Sequence, residues 1–184
     1  MLADVLLSEI SSKLNSRLLK IEAQQEYLSF LVKKRYANER LLQLELMNIV
    51  AQTEEVSDYL PEKLYDSEGK EKCDLWFKLK DGTEFWVEIK TRPTNYRKPA
   101  HAKAITHGVQ GIIDDVRRLK RIQGKHIRRI VVFAFYPIYS ESYPVLERTH
   151  LSRISREIGK NIKNPAFSIK VQDSDFSVYI VTAK

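Results

Sequence analysis

Cysteine is nearly missing from this chain: Cys73 is the one cysteine, so no disulfide scaffold is supported. Glycine and proline are sparse as well, six of each in 184 residues, which leaves little room for linkers and points to one domain with one substantial core. No glycines are arranged as a phosphate-cradling loop, so ATP-driven work by this chain alone is not expected. The four histidines, His101, His107, His126 and His150, show no paired metal-ligand spacing, which argues against a zinc finger or a zinc hydrolase. No apolar run is long enough to span a membrane, and Met1 to Leu19 carries acidic residues in place of a basic start followed by an apolar core. The expectation is a cytoplasmic protein without membrane contact.

What is abundant is positive charge. Lys and Arg number 31 against 24 Asp and Glu, a formal net charge of +7. Between Arg97 and Arg129 stand ten basic residues against Asp114 and Asp115, an excess larger than that of the whole chain. Arg97, Lys98 and Lys103 lead into a helix carrying Arg117, Arg118, Lys120 and Arg121, and Lys125, Arg128 and Arg129 follow. Such a run reads either as a basic flank for a phosphate-rich partner or as a solvated helix face.

The stretch from Cys73 to Lys90 is the most informative. Leu75, Phe77 and Leu79 alternate on one arm and Phe85, Val87 and Ile89 on the next, as in two half-buried strands. A three-residue loop Lys80-Asp81-Gly82, with Gly82 left-handed, stacks Phe77 on Phe85 and Trp76 on Trp86, and sets Asp74 opposite Glu88 with Cβ atoms roughly 5 Å apart. If the loop were Asp81-Gly82-Thr83, Asp74 would face Lys90 instead, and all three charges would still share one face. Trp76 and Trp86 lie on that face too, so something covers it, and covered charges need partners or a cation. Without a cover, Asp74, Glu88 and Lys90 are ordinary solvated residues.

The expected cover is a single helix from about Glu26 to Gln52, which has no Gly or Pro and a wide apolar face. Glu39 lies on the row of Leu42 and Leu46 and would point inward near the top of the hairpin. Glu45 is the competing carboxylate.

A helix with Glu39, then Asp74, then Glu88-Ile89-Lys90 ending the second arm of a hairpin, then a helix and an apolar strand, resembles the PD-(D/E)XK nuclease superfamily. Cys73 stands where the familiar proline would precede the aspartate. The resemblance covers residues 26–184 and implies an α/β restriction-endonuclease-like core, a mixed β-sheet flanked by helices, with residues 1–25 as an N-terminal helical extension. It implies a metal-dependent endonuclease acting on nucleic acid, DNA foremost. Phosphodiester hydrolysis needs a nucleophilic hydroxide and cations against developing phosphoryl charge. Mg²⁺, with Mn²⁺ as a substitute, suits a shell of Asp74, Glu88 and the Ile89 carbonyl, since it takes few carboxylates and keeps several waters. By resemblance, Glu39 adds a ligand directly or through water and Lys90 orients or helps deprotonate the attacking water. Some members carry a glutamine on the next helix, a role open to Gln110, which joins Arg97, Lys98, Lys103, Arg117, Arg118 and Arg121 as expected nucleic-acid contacts. The alternative is a binding or assembly module that keeps the fold without catalysis.

The remaining pattern fits one α/β domain. Ile130 to Phe135 is a continuous apolar run typical of a central strand, Glu147 to Ile162 reads as a helix, and strands are expected at 167–171 and 176–181. An earlier strand near Val56 to Tyr65 is confined by Pro61 to an edge or bulge. Leu14, Leu18, Ile21, Gln25, Leu28 and Val32 follow a heptad-like spacing, read either as a seam for a homodimer or as packing on the chain's own domain.

Overall fold

Among the described residues the chain begins with the helices α1 (Leu2–Lys20), α2 (Glu22–Lys34) and α3 (Glu39–Ala51). The computed structural model describes residues 2–20, 22–66, 69–97 and 105–183. The single helix expected over 26–52 is broken between α2 and α3. No Gly or Pro marks the break, and three other contacts impose it. Arg35 takes a left-handed φ of 53° while its guanidinium binds the carbonyl oxygens of Thr94 and Tyr96. The Tyr36 carbonyl accepts the Tyr136 hydroxyl at 2.7 Å, and Asn38 starts α3 by accepting the Arg40 amide at 3.0 Å.

Six strands form one mixed sheet: β1 (Val56–Pro61), β2 (Leu75–Leu79), β3 (Glu84–Pro93), β4 (Ile127–Ile138), β5 (Phe167–Val171) and β6 (Ser174–Ala183). Their order is β1-β2-β3-β4-β6-β5, with β3 and β4 parallel and every other neighbouring pair antiparallel. The parallel pair is joined across one face by α4 (Ile105–Lys120). β1 is an edge strand with a register shift between Val56 and Asp58, as Pro61 demanded.

The β2–β3 hairpin has the three-residue loop. Gly82 sits at φ 85°, its amide bonds the Leu79 carbonyl at 3.0 Å, and Phe77 pairs with Phe85 and Trp76 with Trp86. The sheet therefore separates two apolar layers. Leu75, Phe77, Leu79, Phe85, Val87 and Ile89 face α1, α2 and α3, while Trp76 and Trp86 face α4 and the Ser152–Ile158 helix.

This corrects the expected cover. α3 packs on the apolar face of the hairpin, and α4 covers the face that carries the tryptophans and charges. The helical stretch expected over 147–162 is a sequence of short turns from Ser140, a π-helical segment Leu146–Leu151, and the helix ending at Ile158.

The heptad positions turn inward. Leu14, Leu18 and Leu28 are completely buried and Val32 nearly so, in the same cluster as the sheet, so these residues pack on their own chain and not against a second copy. Gln25 is exposed, and the side chain of Ile21 lies outside the described residues. Among the described residues no helix is long and apolar enough to cross a membrane.

Candidate active site at the end of β3

β2 pairs with β3 only as far as Leu75 and Val87, while β3 runs on to Pro93. Beyond that point Asp74 meets the β2 side of β3. Its amide donates to the Val87 carbonyl at 3.1 Å, and its carboxylate accepts the Ile89 amide at 2.6 Å. Gln43 of α3 fixes the Asp74 carbonyl from outside at 2.6 Å. A short strand beside a long one thus leaves a notch in the ladder with a carboxylate in it.

Alternation then places Glu88, Lys90 and Arg92 on the α4 face. α4 presents the row Gly108, Gly111, Asp115 and Arg118, spaced three and four apart. A Cβ on Gly108 would come within 2.7 Å of the Arg92 side chain, so the bare backbone there makes room for this long cation, while Gly111 lies beside both Lys90 and Arg92. Further along, Asp115 lies 3.4 Å from the Lys90 ammonium and Arg118 lies 3.9 Å from Glu88. Asp115 and Arg118 also bond each other. Glu88 and Lys90 of the strand are thus paired crosswise with Arg118 and Asp115 of the helix.

Glu39 enters from the first turn of α3. One oxygen is 3.6 Å from Lys90 and the other 3.2 Å from Arg92. Glu45 belongs elsewhere, bonded to Arg17 of α1. The helix carboxylate beside Lys90 is therefore Glu39, held there because Arg35 and Asn38 restart the helix at that point.

Glu88 and Asp115 are only 2% and 1% exposed, and both are costly as anions. Burial, then the neighbouring Asp115 and Asp74 charges, pushes the Glu88 carboxyl up to about 9. Burial likewise raises Asp115, against the pull of Lys90 and Arg118. Glu88 also accepts the hydroxyl of Tyr65, whose ring stacks on Trp86 at 5.7 Å. Tyr65 rides on the segment between β1 and β2, tied down by bonds between Tyr65 and Glu71 and between Cys73 and Lys63.

No family model matches this chain, and no curated protein or solved structure does.

Among the described residues, no group of three or more His, Cys, Asp or Glu side chains converges as a metal cage. The donors present suit a hard cation that asks less of the protein. Asp74 and Glu88 flank Ile89, whose N–H points to the β2 side, and a two-carboxylate set with waters is the usual Mg²⁺ habit.

The expected basic flank is largely spoken for. Arg97 is paired with Glu141 and Asp173, Arg117 with Asp114 and Glu157, Arg118 with Asp115 and Glu88, and Arg121 with Glu71. Gln110 bonds Asp114 at 2.9 Å and Arg153 at 3.3 Å, not the Glu88–Lys90 group. Lys98 and Lys103 lie outside the described residues. Sequence reasoning missed Asp115, Arg92 and Tyr65. The pair Gly108 and Gly111 inside an otherwise well-formed amphipathic helix was a usable sign that α4 meets bulky side chains there.

Proposed function

We propose that this chain is a metal-dependent nuclease of the PD-(D/E)XK type, with a restriction-endonuclease-like core, that hydrolyses phosphodiester bonds in DNA. The observation that carries the reading is the Asp74 carboxylate seated on the amide of Ile89, the residue between Glu88 and Lys90, with Glu39 delivered to Lys90 from α3. These are three carboxylates and one ammonium drawn from three elements around a strand edge, where a packed interior would have apolar side chains.

In this reading Asp74, Glu88 and the Ile89 carbonyl would hold Mg²⁺, which would supply an activated water and charge neutralisation at the phosphate. Mn²⁺ serves in its place. Glu88 must release the Tyr65 hydroxyl and its proton to act as a ligand. Lys90 is held between Glu39 and Asp115, so its ammonium is confined near the notch and available to orient the attacking water and to meet a phosphoryl oxygen. Arg92, also tethered to Glu39, adds a second cation on the same side. The ion pairs of Arg97 and Arg121 are between exposed partners, each a weak contact that a DNA phosphate can replace.

A binding module without catalysis draws on one observation, the crosswise pairing that satisfies Glu88, Lys90, Asp115 and Arg118 among themselves. One experiment separates the two. Supercoiled, linear, single-stranded and branched DNA, and RNA, are incubated with Mg²⁺, Mn²⁺ or EDTA and the wild type, Glu88→Ala or Lys90→Ala. Cleavage that needs metal and is lost in both variants is expected. Salt-sensitive binding without cleavage, unchanged in both variants, would leave the binding module.

A further inference from the structure

Asp115 has no role in the metal shell described above, yet it is the most enclosed charge near the notch. It is 1% exposed on α4, one of its oxygens is gripped by Arg118, and the other, fully enclosed and without a hydrogen bond, faces the Lys90 ammonium at 3.4 Å. A buried carboxylate is retained at a cost, and removing its partner would leave an uncompensated charge. Its geometry is also one-sided. Arg118 fixes the first oxygen from within the same helix, three residues on, so the second oxygen has little freedom and marks a set point for whatever cation approaches it.

We propose that Asp115 is a positioning residue for Lys90, with Arg118 as its anchor, and that this helix-borne pair sets the location of the lysine during phosphodiester cleavage. The catalytic meaning rests on the nuclease reading, whereas the placement of Lys90 does not. Lysine carries four rotatable bonds, so an ammonium tethered only to the half-exposed Glu39 would wander. With Asp115 as well as Glu39 the ammonium has two carboxylate contacts, at 3.4 Å and 3.6 Å. Glu39 faces Arg92 as well and shares its charge; Asp115 faces Arg118, which is committed to the same pair and to Glu88. The tether from α4 is therefore the stiffer of the two.

The test uses the full chain with two variants and two readouts. Asp115→Asn keeps the shape and removes the charge; Asp115→Glu keeps the charge and displaces it. On whichever DNA the wild type cleaves, single-turnover kinetics with Mg²⁺ are expected to slow by roughly 10- to 100-fold in Asp115→Asn with KM little changed, and to recover in part in Asp115→Glu. In metal-free protein the ¹⁵N ammonium signal of Lys90, assigned by its disappearance in Lys90→Arg, is expected to be lost or shifted in Asp115→Asn.

Wild-type cleavage rates in Asp115→Asn would overturn the proposal, as would a slowed rate with an unmoved Lys90 signal, which marks a merely structural role. Should Asp115→Asn fail to fold, Asp115→Glu decides: a Lys90 signal identical to wild type overturns the proposal. If the wild type cleaves nothing, the nuclease reading falls, and the ammonium signal still decides whether Asp115 places Lys90.

Discussion

Asp74 and Ile89 are joined by a 2.6 Å hydrogen bond in which a carboxylate oxygen accepts a strand amide. A side chain thereby does what β2 would do if it were longer. Ile89 is fully buried, so its N–H has no recourse to bulk water. Asp74→Ala is expected to cost about 1–3 kcal/mol in urea unfolding with EDTA present, from the orphaned amide alone. Asp74→Asn, which retains an acceptor oxygen, is expected to cost less while losing metal-dependent activity as completely. Equal stability losses in the two variants would show that the bond to Ile89 is not what Asp74 contributes to folding.

Glu88 trades stability for chemistry. Its folded-state value of about 9 stands above the ordinary 4.5, so the native protein binds the proton more tightly than the unfolded chain. Its contribution is full below pH 4.5 and is lost progressively as pH rises through about 9. Glu88→Gln, fixed in the neutral form, is expected to match wild type near the lower limit and to exceed it by at least about 1 kcal/mol near pH 8 without metal. Urea midpoints across this range check the sign; a variant that loses ground on going from acid to neutral pH would refute it.

Leu14 reports on what the N-terminal seam does. The side chain is wholly buried against its own domain, so Leu14→Ala is expected to destabilise by about 2–5 kcal/mol through the cavity it leaves. That loss should not depend on protein concentration. A melting temperature that rises with concentration in the wild type and not in the variant would instead assign Leu14 to an interface between copies.

Gly82→Ala tests the turn that sets the register. At φ 85° an alanine is strained although nothing crowds the site, and a loss of roughly 1 kcal/mol is expected. Because the turn aligns Phe77 with Phe85 and leads Asp74 to Ile89, activity should persist once the variant is folded.

Local pattern was enough to read the hairpin, because alternation and the chemistry of Gly82 act within a few residues. It was also enough to bring Asp74, Glu88 and Lys90 to one neighbourhood, and to place the central strand and the Pro61 edge. The helix break at Arg35 was invisible: its cause is the grip of Arg35 on Thr94 and Tyr96, almost sixty residues away, and of Tyr136 on Tyr36. Which helix covers which face of the sheet was misjudged for a related reason, since amphipathicity names a buried stripe and not its partner. Asp115 entered the sequence reading only as a charge to be counted, yet it continues the row of Gly108 and Gly111, and Asp114 beside it is the exposed one. Charges that cluster in sequence, such as Arg117 to Arg121, proved in space to be matched by acids from distant segments.

The sheet order also governs when the notch can exist. Every side chain around it lies between Glu39 and Arg118, but β3 rests on β4, and the other edge of β4 is completed by β6, which ends at Ala183. A nascent chain that has emerged only through residue 138 would carry all the reactive groups and leave its longest apolar strand with a bare edge. A chain that stopped there would have the chemistry in its sequence without the β6 pairing on which β4, and through it β3, rests.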